Sequence, residues 1–419
     1  MNSNWLGIDD INKAQKRIEG IAYRTPLVYS DYFSKEIGCQ VYLKLENLQK
    51  TGAYKVRGAY NKMAGLPKEI LSNGVITASA GNHAQGVANA AKELGVAHVS
   101  DIIMAETASP LKIDKTRSYG VNVELFGKNF DEANEWAHVE AKKRNKIFIE
   151  AFNDWDVMAG QGTVGLEIVQ DLPGVDAVIV PVGGGGLISG MAIALLNHSE
   201  KIRIIGVEAD KAAPFILSLE KGEPTPLPSP PQTMADGIQV GKVGNLTFSV
   251  VQELVSENKM KIVVVRDGEI VSTMIRLLLN ANLCVEGAGA TALAALRYRK
   301  DELGISNDSK IVVVLSGGNI QPNKIAYYLS QEIASANHYL NIRTKIQDQP
   351  GSLARLLGLI ASKNVNIADI VSHRAGYPYP YIGMDEALVE MILETNNRDM
   401  QSTLLVELKT AGYEVKIIV

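Results

Sequence analysis

Lys55 is the residue of this chain best placed for covalent chemistry. It lies in the segment 44–59, KLENLQKTGAYKVRGA, where Thr51 and Gly52 predict the start of a helix that has Lys55 in its first turn. A lysine at a helix N-terminus meets an unfavourable dipole, and burial adds a desolvation cost, so both lower the pKa of the amine. The neutral amine could then form a Schiff base. The alternative is a solvated surface lysine, which is the usual situation of this residue type.

Residues 183–186 are all glycine, and their backbone N–H groups could bind an anion. They follow an apolar run predicted as a strand and precede a segment with helical spacing, so N–H groups of the turn and a helix N-terminus favour a phosphate group. The loop lacks the lysine and hydroxyl residue of a Walker A loop and does not fit a dinucleotide fingerprint. Glu208, in the next predicted strand, lies about where a ribose-binding acid is expected, so dinucleotide binding stays open. A turn that only lets a helix and a strand pack closely is the other alternative.

Two further turns follow predicted buried strands. Residues 79–83, SAGNH, precede an alanine-rich helix, and their N–H groups could hold a carboxylate. Residues 316–319, SGGN, place a hydroxyl after the apolar run 311–315. Ligands of open α/β sheets bind at the carboxyl ends of the strands. Each turn alone could be ordinary loop chemistry, but together with the other two segments they predict one site.

With these segments, about residues 5–330 resemble the fold-type II enzymes that use pyridoxal 5′-phosphate (PLP), and within them the threonine and serine dehydratases. The resemblance implies an α/β fold like that of the tryptophan synthase β subunit, with two open α/β lobes. The catalytic domain would span residues 1–330. A smaller lobe, about 47–150, would be inserted in a larger lobe made of 1–46 and 151–330. Closure between the lobes would shield the reaction from water.

The same resemblance implies a role for each matching residue. Lys55 would hold PLP as a Schiff base, Tyr54 would pack by the ring, Asn82 would bind the 3′-hydroxyl and Ser316 the pyridine nitrogen. The phosphate would be bound by Gly183, Gly184, Gly185, Gly186 and Leu187. The substrate carboxylate would be held by Ser79, Ala80, Gly81, Asn82 and His83. For His83, a hydrogen bond to the backbone is an equally good explanation. Segments 160–163, 235–237 and 286–289 also resemble family segments, and we expect them to shape the pocket.

These roles imply the deamination of L-threonine, with L-serine as a second substrate. The freed amine of Lys55 would remove the Cα proton, PLP would take up the negative charge, and the β-hydroxyl would leave. The products would be 2-oxobutanoate and ammonia. A hydroxyl such as that of Ser316 cannot keep the pyridine nitrogen protonated as a carboxylate would. That difference suits loss of a β-leaving group better than transamination.

Two positions depart from patterns seen in similar enzymes. Serine racemases that resemble this chain carry a second serine directly after the position of Ser79, but Ala80 stands there and has no proton to give. We therefore expect weak racemisation. Glu208 matches the start of a divalent-cation site of some relatives, but Pro214 stands where a second acid is expected. Asp210 lies nearby, yet a loop with two acids is more often solvated surface than a site, so we expect no required metal.

The C-terminal part, 338–419, has a different pattern. Strands at 339–346, 367–372, 387–393 and 414–419, with helices at 352–363 and 399–410, give the order βαββαβ of a ferredoxin-like unit. The segments DQPGSL and NVNI resemble an ACT domain, which implies an allosteric site at Asp348, Gly351, Ser352 and Leu353. The effector would be an amino acid, such as isoleucine or valine, or a nucleotide. An oligomerisation module without a ligand is the alternative. The aromatic segment 376–381 could be an interface patch or an exposed loop.

Composition excludes several classes of partner. The net charge is −4 with both signs mixed, which argues against nucleic acid and anionic membranes. No apolar run reaches the roughly 18 residues of a membrane-spanning helix, and the N-terminus does not resemble a signal peptide. Cys39 and Cys284 are expected to be free buried thiols in a reducing cytoplasm.

The sequence therefore predicts a cytoplasmic, PLP-dependent threonine dehydratase with a regulatory ACT domain, assembled as a homodimer or homotetramer. A serine dehydratase or serine racemase is the alternative within the same chemistry. A catalytically silent amino-acid sensor and a nucleotide-binding protein built on the glycine loop are alternatives of other classes.

Overall fold

The computed structural model describes residues 6–335, 339–374, 383–395 and 397–418. The chain divides into two units, Met1–Ile320 and Gln321–Val419, and each unit has its own hydrophobic core. The aromatic segment 376–381 lies outside the described residues. Among the described helices, none combines the length and the apolar character that crossing a membrane would need.

The strands of the first unit are short and mostly rich in valine and isoleucine, as expected for parallel strands buried on both faces. Residues 6–320 contain the strands β1 (Leu27–Tyr29), β2 (Gln40–Lys44), β3 (Val75–Ala78), β4 (Asp101–Met104), β5 (Asn122–Leu125), β6 (Ile147–Phe148), β7 (Ala177–Pro181), β8 (Arg203–Ala209), β9 (Met260–Val265) and β10 (Lys310–Val314).

These strands form two separate sheets. In residues 6–320, the larger sheet has the order β1-β2-β10-β7-β8-β9 and is parallel except for β1. The smaller sheet has the order β5-β4-β3-β6 and is parallel throughout. Its strands lie between β2 and β7 in the chain. The loops after β7 and β10 lie at the carboxyl edge of the larger sheet and the loop after β3 at that of the smaller sheet, and ligands of open α/β sheets bind at such edges.

Helices alternate with the strands of the first unit. They are α1 (Ile8–Arg17), α2 (Asp31–Ile37), α3 (Lys55–Ala64), α4 (Lys68–Leu71), α5 (Asn82–Glu93), α6 (Pro110–Arg117), α7 (Phe130–Lys143), α8 (Trp155–Asp171), α9 (Gly186–His198), α10 (Pro214–Lys221), α11 (Asn245–Ser256), α12 (Asp267–Ala281) and α13 (Gly287–Arg299). Short 3₁₀ helices occur at Glu46–Leu48, Ala97–Val99 and Asp236–Ile238.

The beginning of α3 differs from its predicted position. We expected the helix to start at Thr51 and Gly52, but it starts at Lys55, and Gly52 has a φ of +78°. A left-handed residue does not continue into a right-handed helix, so the chain turns at Gly52 before the helix begins. Lys55 lies in the first turn, as expected.

A cluster of four buried charged side chains ties α3 to the larger sheet and to α8. The guanidinium of Arg57 lies 2.8 Å from Glu46 and 2.6 Å from Glu167, and the amine of Lys44 lies 2.6 Å from Glu167. Burial alone would raise the pKa of the Glu46 carboxyl, but Arg57 holds it below its usual value. Burial alone would lower the pKa of Arg57, but Glu46 and Glu167 raise it. The two positive and two negative charges of the cluster balance.

The second unit is a single antiparallel sheet with helices. Its described residues form α14 (Pro322–Ser335), β11 (Tyr339–Gln347), α15 (Ser352–Ala361), β12 (Asn366–Arg374), β13 (Glu386–Glu394), α16 (Arg398–Thr410) and β14 (Val415–Ile417). Over the described residues the sheet order is β12-β13-β11-β14. From β11 onward the element order is βαββαβ, so the predicted ferredoxin-like unit is confirmed. Leu340, Ile342 and Leu356 belong to its apolar core.

Candidate active site

Lys55 is the first residue of α3, and its amine is withdrawn from solvent. Its Nζ donates a hydrogen bond to the carbonyl oxygen of Ala151 at 2.8 Å and lies 5.3 Å from the centroid of the Tyr54 ring. Burial lowers the pKa of the amine to about 8. With that pKa, about a tenth of the amine is neutral at pH 7, against a negligible fraction for an ordinary lysine. The solvated surface lysine considered above is therefore wrong.

The glycine loop joins β7 to α9 and presents backbone donors. Gly183, Gly184 and Gly185 are buried, and their N–H groups have no acceptor among the residues that the structure describes. The carbonyl of Gly184 accepts a hydrogen bond from the Thr247 hydroxyl at 2.7 Å, so this acceptor is turned into the protein. Buried donors without a partner at the start of a helix are the arrangement that binds an anion.

Only glycine fits this loop. A Cβ on Gly184 would overlap the ring of Phe152, and a Cβ on Gly185 would lie 2.5 Å from the ring of Phe215. Gly185 also has a φ of +90°, which other residues rarely adopt. The loop is therefore close-packed from behind, and its N–H groups have a fixed position.

The glycine loop and Lys55 are joined by two consecutive residues. Ala151 accepts the hydrogen bond of Lys55, and the ring of the next residue, Phe152, packs against Gly184. The glycine loop and the Lys55 amine are therefore neighbours across the segment 151–152.

Ser316 lies just after β10 and supports the start of α3. Its carbonyl accepts a hydrogen bond from the N–H of Tyr54 at 3.2 Å, and Gly317 forms a β-bridge with Ala53. Ser316 is buried, and its hydroxyl has no hydrogen-bond partner in the described part of the chain. The hydroxyl is therefore available to a ligand beside Lys55.

The loop 79–83 leads from β3 into α5. The Ser79 hydroxyl accepts a hydrogen bond from the N–H of Gly81 at 3.1 Å, Ala80 is partly buried, and α5 begins at Asn82 without a side-chain cap on its N-cap residue Gly81. Free N–H groups at a helix start favour an anion such as a carboxylate.

The imidazole of His83 is hydrogen-bonded to the backbone, which leaves only its main-chain N–H for a substrate carboxylate. Its Nε2 donates to the carbonyl oxygen of Ile149 at 3.0 Å, because a carbonyl can only accept. Burial, with the nearby Lys55, lowers the pKa of the imidazole to about 3. His83 is therefore neutral, and its hydrogen bond to the backbone accounts for it.

Asn82 is held by Glu286 and Asn319, which lie in segments that the sequence analysis named without giving these two side chains a role of their own. Its Nδ2 donates to Glu286 at 2.6 Å, its Oδ1 accepts from Asn319 at 2.8 Å, and Lys115 donates to the Oδ1 of Asn319 at 2.7 Å. Burial raises the pKa of the Glu286 carboxyl to about 7, and the charge of Asp236 adds to this. The segment 286–289 was expected only to shape the pocket. The sequence feature that could have indicated this role is a glutamate directly before a glycine-rich helix start.

Glu208 is not the solvated acid that a loop with two carboxylates would give. It lies in β8 with 0% of its surface exposed, and its oxygens accept the N–H groups of Phe215 and Ile216 at 2.9 and 3.0 Å. These bonds occupy the carboxylate that dinucleotide binding would need for a ribose. Of the two cysteines, Cys39 is buried as expected, whereas Cys284 is exposed, since it lies in the loop before α13.

In the second unit, the predicted effector turn leads into α15. Gly351 has a φ of +89° and is the N-cap residue, and Ser352 is buried and accepts a hydrogen bond from Arg355 at 3.1 Å. The Asp348 carboxylate lies 3.0 Å from the guanidinium of Arg374, and Leu353 packs against the apolar core of the unit. An effector site there stays a prediction.

Comparison with known proteins identifies the family. The family described as pyridoxal-phosphate dependent enzymes matches residues 18–317. The chain belongs to this family. It is 41% identical to the L-threonine ammonia-lyase of Thermotoga maritima over 413 residues, which are 99% of this chain and 100% of that protein. The predicted fold class and the predicted cofactor are confirmed.

Two solved structures are similar to the chain. The processed form of threonine deaminase isoform 2 from Solanum lycopersicum aligns with a TM-score of 0.73 and 36% identity, covering 79% of this chain and 89% of that one. Maize serine racemase aligns with a TM-score of 0.72 and 32% identity, covering 79% of this chain and 99% of that one.

The residues present fit PLP. The buried donors of the glycine loop suit its phosphate, the free hydroxyl of Ser316 suits a ring nitrogen, and the amine of Lys55 suits its aldehyde. The three groups are linked by contacts: Ala151 and Phe152 join the glycine loop to Lys55, and the N–H of Tyr54 donates to the carbonyl of Ser316.

Proposed function

We propose that the chain is an L-threonine ammonia-lyase, which converts L-threonine to 2-oxobutanoate and ammonia and also acts on L-serine. The similarity to an enzyme of that name over 99% of the chain carries the proposal. The intact Lys55, with its lowered pKa, speaks against a catalytically silent sensor.

In this proposal the cofactor is held at four points. Gly183, Gly184, Gly185, Gly186 and Leu187 bind its phosphate, Asn82 its 3′-hydroxyl, Ser316 its ring nitrogen, and Lys55 its aldehyde carbon. Glu286 and Asn319 fix the Asn82 amide, because both of its polar ends are hydrogen-bonded. When bound, PLP supplies an electron sink for negative charge at Cα.

The chain's own groups then perform the proton transfers. The neutral Nζ of Lys55 takes the Cα proton of the substrate, whose carboxylate is held by Ser79, Ala80, Gly81, Asn82 and His83 at the start of α5. The β-hydroxyl leaves as water with the proton that Lys55 took from Cα, and the released enamine takes up one water to give the oxo acid and ammonia. Because the Ser316 hydroxyl is a neutral partner, the ring nitrogen is not forced to carry a proton, which suits elimination.

A serine racemase is the second candidate, because the maize enzyme of that name has a similar structure. Ala80 argues against it, since a methyl group cannot deliver a proton to the face of Cα opposite Lys55.

We also propose the assignment of residues 1–330 as the catalytic domain and 338–419 as a regulatory ACT domain. Its effector, isoleucine, valine or a nucleotide, would bind at Asp348, Gly351, Ser352 and Leu353. A homodimer or homotetramer in the cytoplasm, with no required metal, completes the proposal.

The test is an assay of the PLP-loaded enzyme with L-threonine. From L-threonine we expect 2-oxobutanoate and ammonia in equal amounts. In a second assay with L-serine, we expect the unreacted substrate to contain no D-serine. D-Serine formed faster than pyruvate would favour the racemase, and PLP binding without any product would favour the sensor. Isoleucine, valine and AMP, added in turn, test the effector site.

A further inference from the structure

Glu208 is a fully buried acid that the proposed chemistry does not use. It lies near the end of β8, next to the strand that leads into the glycine loop. Its Oε1 accepts the N–H of Phe215 at 2.9 Å, and its Oε2 accepts the N–H of Ile216 at 3.0 Å. Each oxygen of the carboxylate is therefore engaged by the backbone of this chain.

Those two N–H groups belong to the first turn of α10. The N-cap residue of this helix, Ala213, has no side chain that could accept from them, and the first helical residue, Pro214, has no N–H. A carboxylate from a different element therefore does the work of an N-cap. Burial raises the pKa of the Glu208 carboxyl to about 8, whereas the two N–H groups and the positive end of the helix dipole favour its negative form.

The same first turn supports the glycine loop. A Cβ on Gly185 would lie 2.5 Å from the Cζ of Phe215 and 2.9 Å from the Cβ of Thr247. The Phe215 ring thus forms the back wall of the loop. Since Glu208 holds the backbone of Phe215, it fixes the position of that wall.

A divalent cation does not fit at this point. Hard cations take six or more oxygen ligands, but both oxygens of Glu208 are already engaged by backbone N–H groups. A cation at Glu208 would also compete with two N–H groups at the positive end of a helix. Among the described residues, no cluster of three or more acidic, histidine or cysteine side chains could hold a metal ion.

We propose that Glu208 is a positioning residue for the phosphate loop, which fixes the start of α10 and thereby presses Phe215 against Gly185, with no cation in that place. The inference rests on the proposed function of the glycine loop as the phosphate site. Glu208 acts through Phe215 and touches no cofactor atom itself.

The experiment compares two ligands of the apoenzyme, PLP and pyridoxal, which lacks the phosphate. Their dissociation constants are measured by absorbance titration for the wild type, Glu208→Ala and Glu208→Gln. We expect Glu208→Ala to weaken PLP about tenfold, as for the loss of one or two hydrogen bonds, and to leave pyridoxal unchanged. Glu208→Gln has one acceptor oxygen in place of two, and we expect an intermediate value.

Two further variants separate this role from general stability. Asn129→Ala removes the cap of α7, whose Asn129 side chain accepts the N–H of Glu132 at 3.0 Å, and should lower the melting temperature without changing the ratio of the two constants. Phe215→Leu keeps the cap and shortens the wall, so it should weaken PLP alone. This variant also tests the link if Glu208→Ala does not fold.

Each outcome has one meaning. An unchanged ratio in both Glu208→Ala and Phe215→Leu would overturn the inference. A wild type that binds pyridoxal as tightly as PLP would instead overturn the phosphate loop itself. Addition of Mg²⁺ or Ca²⁺, and of EDTA, should leave PLP affinity of the wild type unchanged. A cation-dependent rise would show that Glu208 is a metal ligand, contrary to the inference.

Discussion

Helix α3 carries two basic residues two positions apart, the partly buried Lys55 and the buried Arg57, in opposite electrostatic surroundings. Arg57 lies within 2.8 Å of carboxylates from Glu46 and Glu167, whereas the Lys55 amine donates to the carbonyl of Ala151. Residues two apart on a helix do not share a face, so one turn can serve both environments. The paired group keeps its charge and stabilises the fold. The group without a carboxylate partner gives up part of its charge, which suits the nucleophile and base that we propose it to be.

Removing the Lys55 amine should have the largest effect. Lys55→Ala should lower the rate of 2-oxobutanoate formation by at least about 10³-fold, because one group supplies both covalent attachment and the general base. Steady-state kinetics and the visible absorbance of the enzyme after PLP addition measure this. Lys62→Ala, on the same helix, is the control and should stay active. Substantial turnover by Lys55→Ala would show that Lys55 is not the reactive amine, and its contrast with Arg57 would then have no functional meaning.

Removing the Arg57 charge should damage stability rather than chemistry. Arg57→Met leaves two buried carboxylates with one lysine, and loss of one partner from a buried ion cluster costs about 3–5 kcal/mol. Urea unfolding measures the loss. Lys62→Met, which breaks the partly exposed contacts to Asp154 and Asp156, should cost less. If both variants lost the same free energy of unfolding, the buried cluster would contribute no more to stability than a partly exposed ion pair.

The pH dependence of stability distinguishes the two environments further. Burial lowers the pKa of Lys55 from 10.5 to about 8 in the folded apoenzyme. Between these pH values the unfolded chain binds the proton and the folded chain does not, so the stability contributed by this group rises with pH. Lys55→Met removes the effect. We expect its stability advantage over the wild type to be greatest below pH 8 and to shrink as the pH rises toward 10.5.

Chemical denaturation of both apoenzymes between pH 7 and 9.5 measures that difference. A constant difference across this range would show that Lys55 titrates as an ordinary exposed lysine.

The smallest expected effect is on the pH dependence of activity. It concerns Glu286, whose buried carboxyl, unlike those around Arg57, has no basic partner at salt-bridge distance among the described residues. Burial raises its pKa to about 7, so its charge falls away as the pH drops through neutrality and the bond from Asn82 weakens. We expect kcat/KM of the wild type to fall about fivefold below pH 7 for this reason, and Glu286→Gln to lack that step. Asp236→Asn should move the step to lower pH, because it removes a neighbouring negative charge. A step that persists unchanged in Glu286→Gln would belong to another group.

The sequence predicted those parts of the site whose structure depends on residues adjacent in the chain. The glycine loop needs no side chain and the strand before it is continuous in valine and isoleucine, so 177–198 could be read as strand, loop and helix from the sequence. The strands of the second unit could also be predicted from the sequence, because buried residues recur at every second position in β11 and β13.

Contacts between distant segments could not be predicted in this way. Glu286 meets Asn82 across 204 positions, and Glu208 caps a helix to which it does not belong. The start of α3 was placed three residues too early, because Thr51 is a residue type favoured at N-caps, whereas Gly52 has a positive φ and lies so close to Asn319 that a Cβ would not fit. His83 was left undecided, since its burial and the carbonyl that accepts its hydrogen bond, 66 positions away, both come from the tertiary fold.

The four-charge cluster also constrains how the first unit is made. Arg57 and Glu167 are 110 positions apart, and Lys44 and Glu167 are 123 apart. Closing loops of that length carries a large entropic cost and slows the search for the native topology. A nascent chain that ends before α8 holds Lys44, Glu46 and Arg57 with an excess positive charge and no Glu167. The centre of this unit can therefore close only after the whole intervening lobe has left the ribosome.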